Sequence, residues 1–314
     1  MRSDGATAMA APRHRPYRQA GAAFQIGLRP MPPETWLETG PDHVQFMAAK
    51  RQRLSGLPPQ FYRAMPESRA AQAELRDAAV AHLLAQHTEH FIRSGDMLED
   101  RIDGSRHDLA DTVPLALLGR IIEEDFILFQ TIDGQDLITA ACNAYTSSGR
   151  IVSSVGSGMH FAHDPVPGLN EQLGPRIDRV LANVHVGTPV VRFNWFLTPI
   201  SARLFPDGSH EANVAMARKV AASLADDHRR CGDRLWIRSE RQTFMRLPQT
   251  MALAFGIHTY SDPLSALADD RESLAALHKL LGDYTEERLS YSAMLGLRDP
   301  VRRWIEDRLA VADS

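Results

Sequence analysis

Three segments of this 314-residue chain bring together side chains that could do chemistry. The first is His163-Asp164-Pro165-Val166-Pro167-Gly168. Each proline pushes its predecessor toward extended geometry, so Asp164 and Val166 are held out of the helical region and the segment is stiff. A histidine at the mouth of such a segment is pre-aimed. It can offer a neutral nitrogen to haem iron while a hydrogen bond orients its second nitrogen. His160 competes for that role, and a histidine capping a Pro-rich surface turn would read the same way. The second segment is Arg238-Ser239-Glu240-Arg241-Gln242-Thr243-Phe244-Met245-Arg246-Leu247-Pro248. Strand alternation puts Arg238, Glu240 and Gln242 on one face, with Ile237, Arg241 and Thr243 on the other. If the first face lines a cavity, Glu240 offers a carboxylate to a cationic amine; a solvated sheet face would show the same alternation. The third segment, Arg192-Phe193-Asn194-Trp195, places an arginine in an otherwise apolar strand. A buried guanidinium needs a carboxylate or a haem propionate as partner, unless it forms a salt bridge at the sheet edge.

The elements that must position these residues are legible from periodicity. A helix is expected over Asp42 to Leu54, and a longer one from Ser68 through Arg93, with Leu75, Ala79, Leu83, His87 and Phe91 on one face and Gly95 closing it. His87 and His90 on that helix have no third ligand nearby and read as packed side chains rather than a metal site. A further helix is expected from Thr112 to Glu123. The period then changes: Phe126 to Ile132 and Leu137 to Tyr145 flank Asp133-Gly134-Gln135-Asp136 and read as a hairpin. After a helix over Glu171 to Val184, Val190 to Leu197 is a strand. Arg234 to Leu247 and Met251 to Tyr260 form a second hairpin around Pro248-Gln249-Thr250. Five antiparallel strands with helices before, between and after them make an α+β fold, with helical spacing resuming from Pro263 to Ala312. Residues 1–22 carry Arg2, Arg13, Arg15 and Arg18 with Asp4 as the sole acid, and read as a disordered tail before a single domain over 23–312.

Composition excludes several function classes. With 44% hydrophobic and 24% charged residues the chain is an ordinary globular protein, and a net charge of -4 gives no stripe for nucleic acid or a membrane surface. Cys142 and Cys231 offer neither a disulfide framework nor a zinc spacing, which suits a reducing compartment such as the cytoplasm. No apolar run approaches the roughly 18 residues of a membrane span.

Together the motifs resemble one family. The order Glu124-Asp125 before an apolar strand, Ala162-His163-Asp164-Pro165-Val166-Pro167, Arg192-Phe193-Asn194-Trp195, Glu240 to Pro248 and Phe255-Gly256-Ile257-His258-Thr259-Tyr260 is similar to the alpha subunit of haem-dependent oxidative N-demethylases. The strand that begins at Glu240 is the most specific element. The resemblance implies a PAS-like sheet holding haem b, with His163 as the iron ligand, Arg192, Arg241 and Trp195 at the cofactor, and Glu240, Gln242 and Arg238 at the substrate. It also implies oxidation of a small, dimethylamine-like secondary amine with O2, releasing formaldehyde. Electrons would come from NADPH through a separate reductase carrying FMN and a 2Fe-2S cluster, since this chain has no clustered cysteines and no Gly-rich phosphate turn. Where relatives carry a Trp and a Lys-Gly pair before the histidine segment, this chain has Tyr145-Thr146-Ser147-Ser148-Gly149-Arg150 and Val155-Gly156; Met251-Ala252 replaces their Ser-Gly pair. A non-catalytic haem-binding gas or redox sensor on the same fold is the alternative, and a structural protein that has lost haem is a third.

Overall fold

The computed structural model describes residues 11–19, 27–144, 150–158, 181–203, 210–291 and 294–311. Its centre is an antiparallel sheet of seven strands: β1 (Arg29–Pro30), β2 (Tyr62–Ala64), β6 (Asp125–Ile132), β7 (Gln135–Cys142), β8 (Val190–Thr198), β9 (Trp236–Arg246) and β10 (Leu253–Pro263). They lie in the order β1-β8-β9-β10-β6-β7-β2. The five expected strands are therefore the five consecutive central ones, and two short edge strands extend them. β6 and β7 meet at a two-residue loop in which Asp133 (φ 51°) and Gly134 (φ 79°) are both left-handed, the geometry that matches the twist of a tight hairpin. Gly256 in β10 has no room for a side chain. A Cβ there would lie 2.7 Å from Thr243 Oγ1 and 2.8 Å from the Phe126 ring.

A second sheet, β3 (Phe91–Ser94), β4 (Met97–Asp100) and β5 (Ser105–Asp108), corrects the long-helix expectation. Helix α2 (Arg69–Gln86) buries Leu75, Ala79 and Leu83 as expected, but it stops at Gln86. His87-Thr88-Glu89-His90 offers no apolar turn to continue it, and Phe91 turns into the core as the first residue of β3. Gly95, with φ 59°, makes the β3–β4 turn rather than a helix cap.

One face of the large sheet carries α1 (His43–Arg53), α2 and α3 (Pro114–Ile121). Phe126, Leu128, Ala140, Cys142, Val191 and Ala254 pack there against Leu54, Leu75, Leu83, Leu118 and Trp36. Past the short α4 (Arg150–Ser153), the helices α5 (His210–Asp226), α6 (Cys231–Arg234), α7 (Arg271–Asp283), α8 (Glu286–Tyr291) and α9 (Arg298–Val311) follow. They gather Leu224, Leu274, Leu277, Leu281, Trp304 and Ile305 around Trp195, Leu197 and Ile237 at the end of β8 and β9. Helix α5 is absent from the sequence expectations because its buried stripe is mostly alanine, Ala217 and Ala221, with Leu224.

Residues 11–19 differ from the disordered tail expected over 1–22. Tyr17 is 1% exposed and meets Trp195 edge-on at 5.8 Å, and Arg18 donates to both Asp270 carboxylate oxygens at 2.5 and 2.7 Å. Composition displayed the arginines but not the carboxylate, some 250 residues later, that pairs with Arg15 and Arg18.

Candidate functional site on the β8–β10 face

Register fixes which side chains share the sheet face opposite α1–α3. Asn194 of β8 and Thr259 of β10 stand opposite Glu240 of β9; Arg192 and Ile257 stand opposite Gln242; Phe196 and Ser261 stand opposite Arg238. Glu240 Oε2 accepts hydrogen bonds from Gln242 Nε2 at 2.9 Å and Asn194 Nδ2 at 3.5 Å. Both Glu240 and Gln242 stay partly exposed. Toward the hairpin tip the same face turns apolar: Phe244 and Phe255 stack at 4.5 Å, with Ile127, Phe129, Leu253 and Ile257 beside them. The described residues on both sides of 159–180, namely Ile151, Val152, Val155, Leu181 and Val184, pack on this apolar half. At the other end Arg238, 1% exposed, donates to the carbonyl of Ala202 at 3.3 Å and so holds the segment that leaves β8. The result is a sheet face that is polar and partly exposed around Arg192, Asn194, Glu240 and Gln242 and apolar toward the hairpin tip.

The structure thus brings Glu240, Gln242, Arg238 and Arg192 to one face. It does not bring Arg241 and Trp195 there. Trp195 packs in the C-terminal helical cluster between Tyr17 and Tyr284. The Arg241 guanidinium lies on the opposite face, 4% exposed, donating to the carbonyls of Trp36 and Thr35 and ion-paired with Glu38 at 3.3 Å. The partner of this buried arginine is a carboxylate of the chain itself. His163 and His160 lie outside the described residues, as does most of the expected Glu171 to Val184 helix.

Behind the sheet sits a buried ionic network that sequence reasoning missed. Lys50, fully buried, donates to the carbonyls of Ile122, Glu123 and Glu124 at 3.0, 3.1 and 2.7 Å and pairs with Asp125 at 3.1 Å. His43 is held between Glu123 (2.9 Å) and Asp100 (2.8 Å), and His258 between Glu124 (3.1 Å) and Glu123 (3.4 Å). Arg203 reaches Asp42 and Glu123 at 2.5 Å each, donates to the carbonyl of Thr259 at 2.8 Å and stacks on Phe46. The available signal was Glu123-Glu124-Asp125, three acids in a row directly before a buried apolar strand.

Residues 27–302 match the family described as haem-dependent oxidative N-demethylase, alpha subunit-like. The chain belongs to this family. The family's name points to an N-demethylase-like oxidoreductase that depends on haem, and "alpha subunit-like" implies further subunits. Among the described residues no helix is long and apolar enough to cross a membrane.

A haem is flat, mostly apolar and carries two carboxylates at one edge. This sheet face of the N-demethylase-like chain matches such a group in kind, with stacked aromatics and Ile257 at one end and the donors Arg192 and Gln242 at the other. His258 is excluded as an axial ligand, because it stands on the opposite face with both ring nitrogens facing Glu123 and Glu124. His43, Asp100 and Asp103 are near enough to share a cation, but Arg51 pairs with Asp103 at 2.5 Å and a proton on His43 satisfies both carboxylates facing it.

The network dictates how stability depends on pH. Burial alone would lower the His43 pKa, but hydrogen bonds to Asp100 and Glu123 and their charges raise it to about 9. For His258 the opposition of burial is likewise overcome by the Glu124 charge and its bonds to Glu123 and Glu124. His82 and His107 go the other way, burial pushing each down to about 4. Burial would raise Glu38 and Glu123, yet His14, Arg241 and Tyr260 lower Glu38 to about 2, and His258, His43 and Arg203 hold Glu123 well below the usual carboxylate range. A raised histidine stabilises below its unfolded value of 6.5 and loses that contribution as pH climbs toward about 9. A depressed histidine stabilises above 6.5 and loses its contribution as pH falls toward about 4. The depressed carboxylates add a second acid loss below 4.5. Melting temperature is therefore expected to peak near pH 6.5 and fall on both sides. A scan of melting temperature against pH checks this; a value still rising between about pH 7 and 9 would contradict it.

Proposed function

We propose that this chain is the haem-bearing subunit of an oxidative N-demethylase that acts on a small secondary amine of the dimethylamine kind. The observation that carries the reading is Glu240: a partly exposed carboxylate, steadied by Gln242 and Asn194, on a sheet face whose other half is apolar. A secondary amine is protonated in neutral water, so a carboxylate at this place can hold the ammonium or take its proton. Arg238 holds the carbonyl of Ala202 at the end of this face. Haem b, when bound, supplies the oxidation of the amine by O2.

The strand order supports a PAS-like reading. The first and last of the five central strands, β6 and β10, are neighbours at the centre, and the long insertion falls between the second and third. We assign His163 as the iron ligand on its stiff Pro-flanked setting and its place in the family motif. The packing of residues on both sides of 159–180 against this same face agrees with that assignment. Arg192 is the residue we assign to a haem propionate, through the two-pronged geometry of guanidinium and carboxylate. With only two cysteines, both free and buried, the chain has no ligand set for an iron-sulfur cluster. A separate reductase bearing FMN, 2Fe-2S and an NADPH site would deliver the electrons. Buried free thiols suit a cytoplasmic protein.

The test is spectroscopic. The chain with added hemin should develop a Soret band that shifts with dimethylammonium chloride, and His163→Ala should lose haem. Glu240→Gln keeps the side-chain shape and removes the charge, so haem should remain while the amine-induced shift and formaldehyde release fall together, by about 100-fold or more in rate. Wild-type formaldehyde release from Glu240→Gln would refute the amine site. Reversible gas binding with no amine response would favour a sensor.

A further inference from the structure

We infer that Asn194 is a specificity residue of the same sheet face: with Gln242 it selects ammonium ions that carry N–H donors over quaternary ones. The inference rests on the reading of Glu240 as the amine site. Glu240 Oε2 is already occupied by two amide N–H donors, from Gln242 at 2.9 Å and Asn194 at 3.5 Å. Among the described residues its second oxygen accepts no hydrogen bond and is the one left to meet a guest. Each amide that spends its nitrogen on the carboxylate keeps its carbonyl oxygen as an acceptor. The three side chains thus offer a charged acceptor flanked by two neutral ones, with Asn194 directly across from Glu240 and Gln242 two residues along the same strand. A secondary ammonium has two N–H groups, one for Glu240 and one for a flanking amide, and its methyls can rest on Phe196 or Ile257 of the same face. A quaternary ammonium has none, and would leave the amide acceptors dehydrated without a partner. Charge alone does not separate the two ions, since each carries one unit.

The experiment is calorimetric titration of the full chain, with and without hemin, using dimethylammonium chloride and tetramethylammonium chloride. The wild type should prefer dimethylammonium by about tenfold, and Asn194→Leu should reduce that preference by about fivefold, the scale of one net hydrogen bond. Asn194 is exposed, so the fold should tolerate the change, which a thermal melt verifies. Asn194→Asp keeps an acceptor and should keep the preference. An unchanged ratio in Asn194→Leu, or equal binding of both ions by the wild type, would overturn the inference. Undiminished dimethylammonium binding by Glu240→Gln would overturn the reading of the amine site itself, independently of the Asn194 ratio, and a wild type that binds neither ion would overturn both.

Discussion

Lys50→Met is expected to lower stability by about 3–5 kcal/mol, the scale of removing one partner from a buried charge pair. The ammonium satisfies three consecutive backbone carbonyls and the Asp125 carboxylate where no water reaches. Methionine fills much of the same volume, so the loss is of charge and hydrogen bonds rather than of packing. Against a total stability of about 5–15 kcal/mol for a domain, such a loss leaves a marginal protein. Denaturant unfolding of the two proteins at the same pH checks it; an equal midpoint would show that the carbonyls find other donors. The double change Lys50→Met with Asp125→Leu should recover part of the loss, because it no longer strands a carboxylate.

Arg241→Met is the second large effect, again about 3–5 kcal/mol, and it separates two roles for that residue. Were Arg241 a haem contact, its loss would weaken haem binding and leave the apoprotein stable. Its actual partners are the carbonyls of Thr35 and Trp36 and the carboxylate of Glu38, which also accepts from Tyr260 and His14. The expected outcome is a destabilised apoprotein, read by thermal melting without hemin. Arg241→Lys should recover little, since one ammonium cannot span both carbonyls and the carboxylate. A normal apoprotein melt with lost haem affinity would return Arg241 to the cofactor.

What the sequence disclosed and what it hid follow a physical line. The five central strands and the alternation that separates Glu240 and Gln242 from Arg241 are local, encoded in the period of two and in a Gly-bearing turn. The small sheet β3–β5 was hidden because its strands are four residues each, too short and polar to show a period. Non-local partners were invisible in principle. Nothing near Arg18 announces Asp270, and nothing near Arg203 announces Glu123. The face of Arg241 was legible in the alternation, but its partners Thr35, Trp36 and Glu38, some 200 residues earlier, were not.

The order β8-β9-β10-β6-β7 also governs how the molecule comes into being. β10, the last of the seven described strands in chain order, occupies their middle, where it joins Phe129 of the first hairpin through Leu253 and β9 along its whole length. Without it, β6 and β9 would each present a long unpaired inner edge. Such edges are templates for pairing with another chain. A chain that has not yet made β10 is therefore exposed to aggregation, its closure is a long-range and slow event, and a product truncated before Leu253 lacks the strand whose hydrogen bonds join β9 to β6.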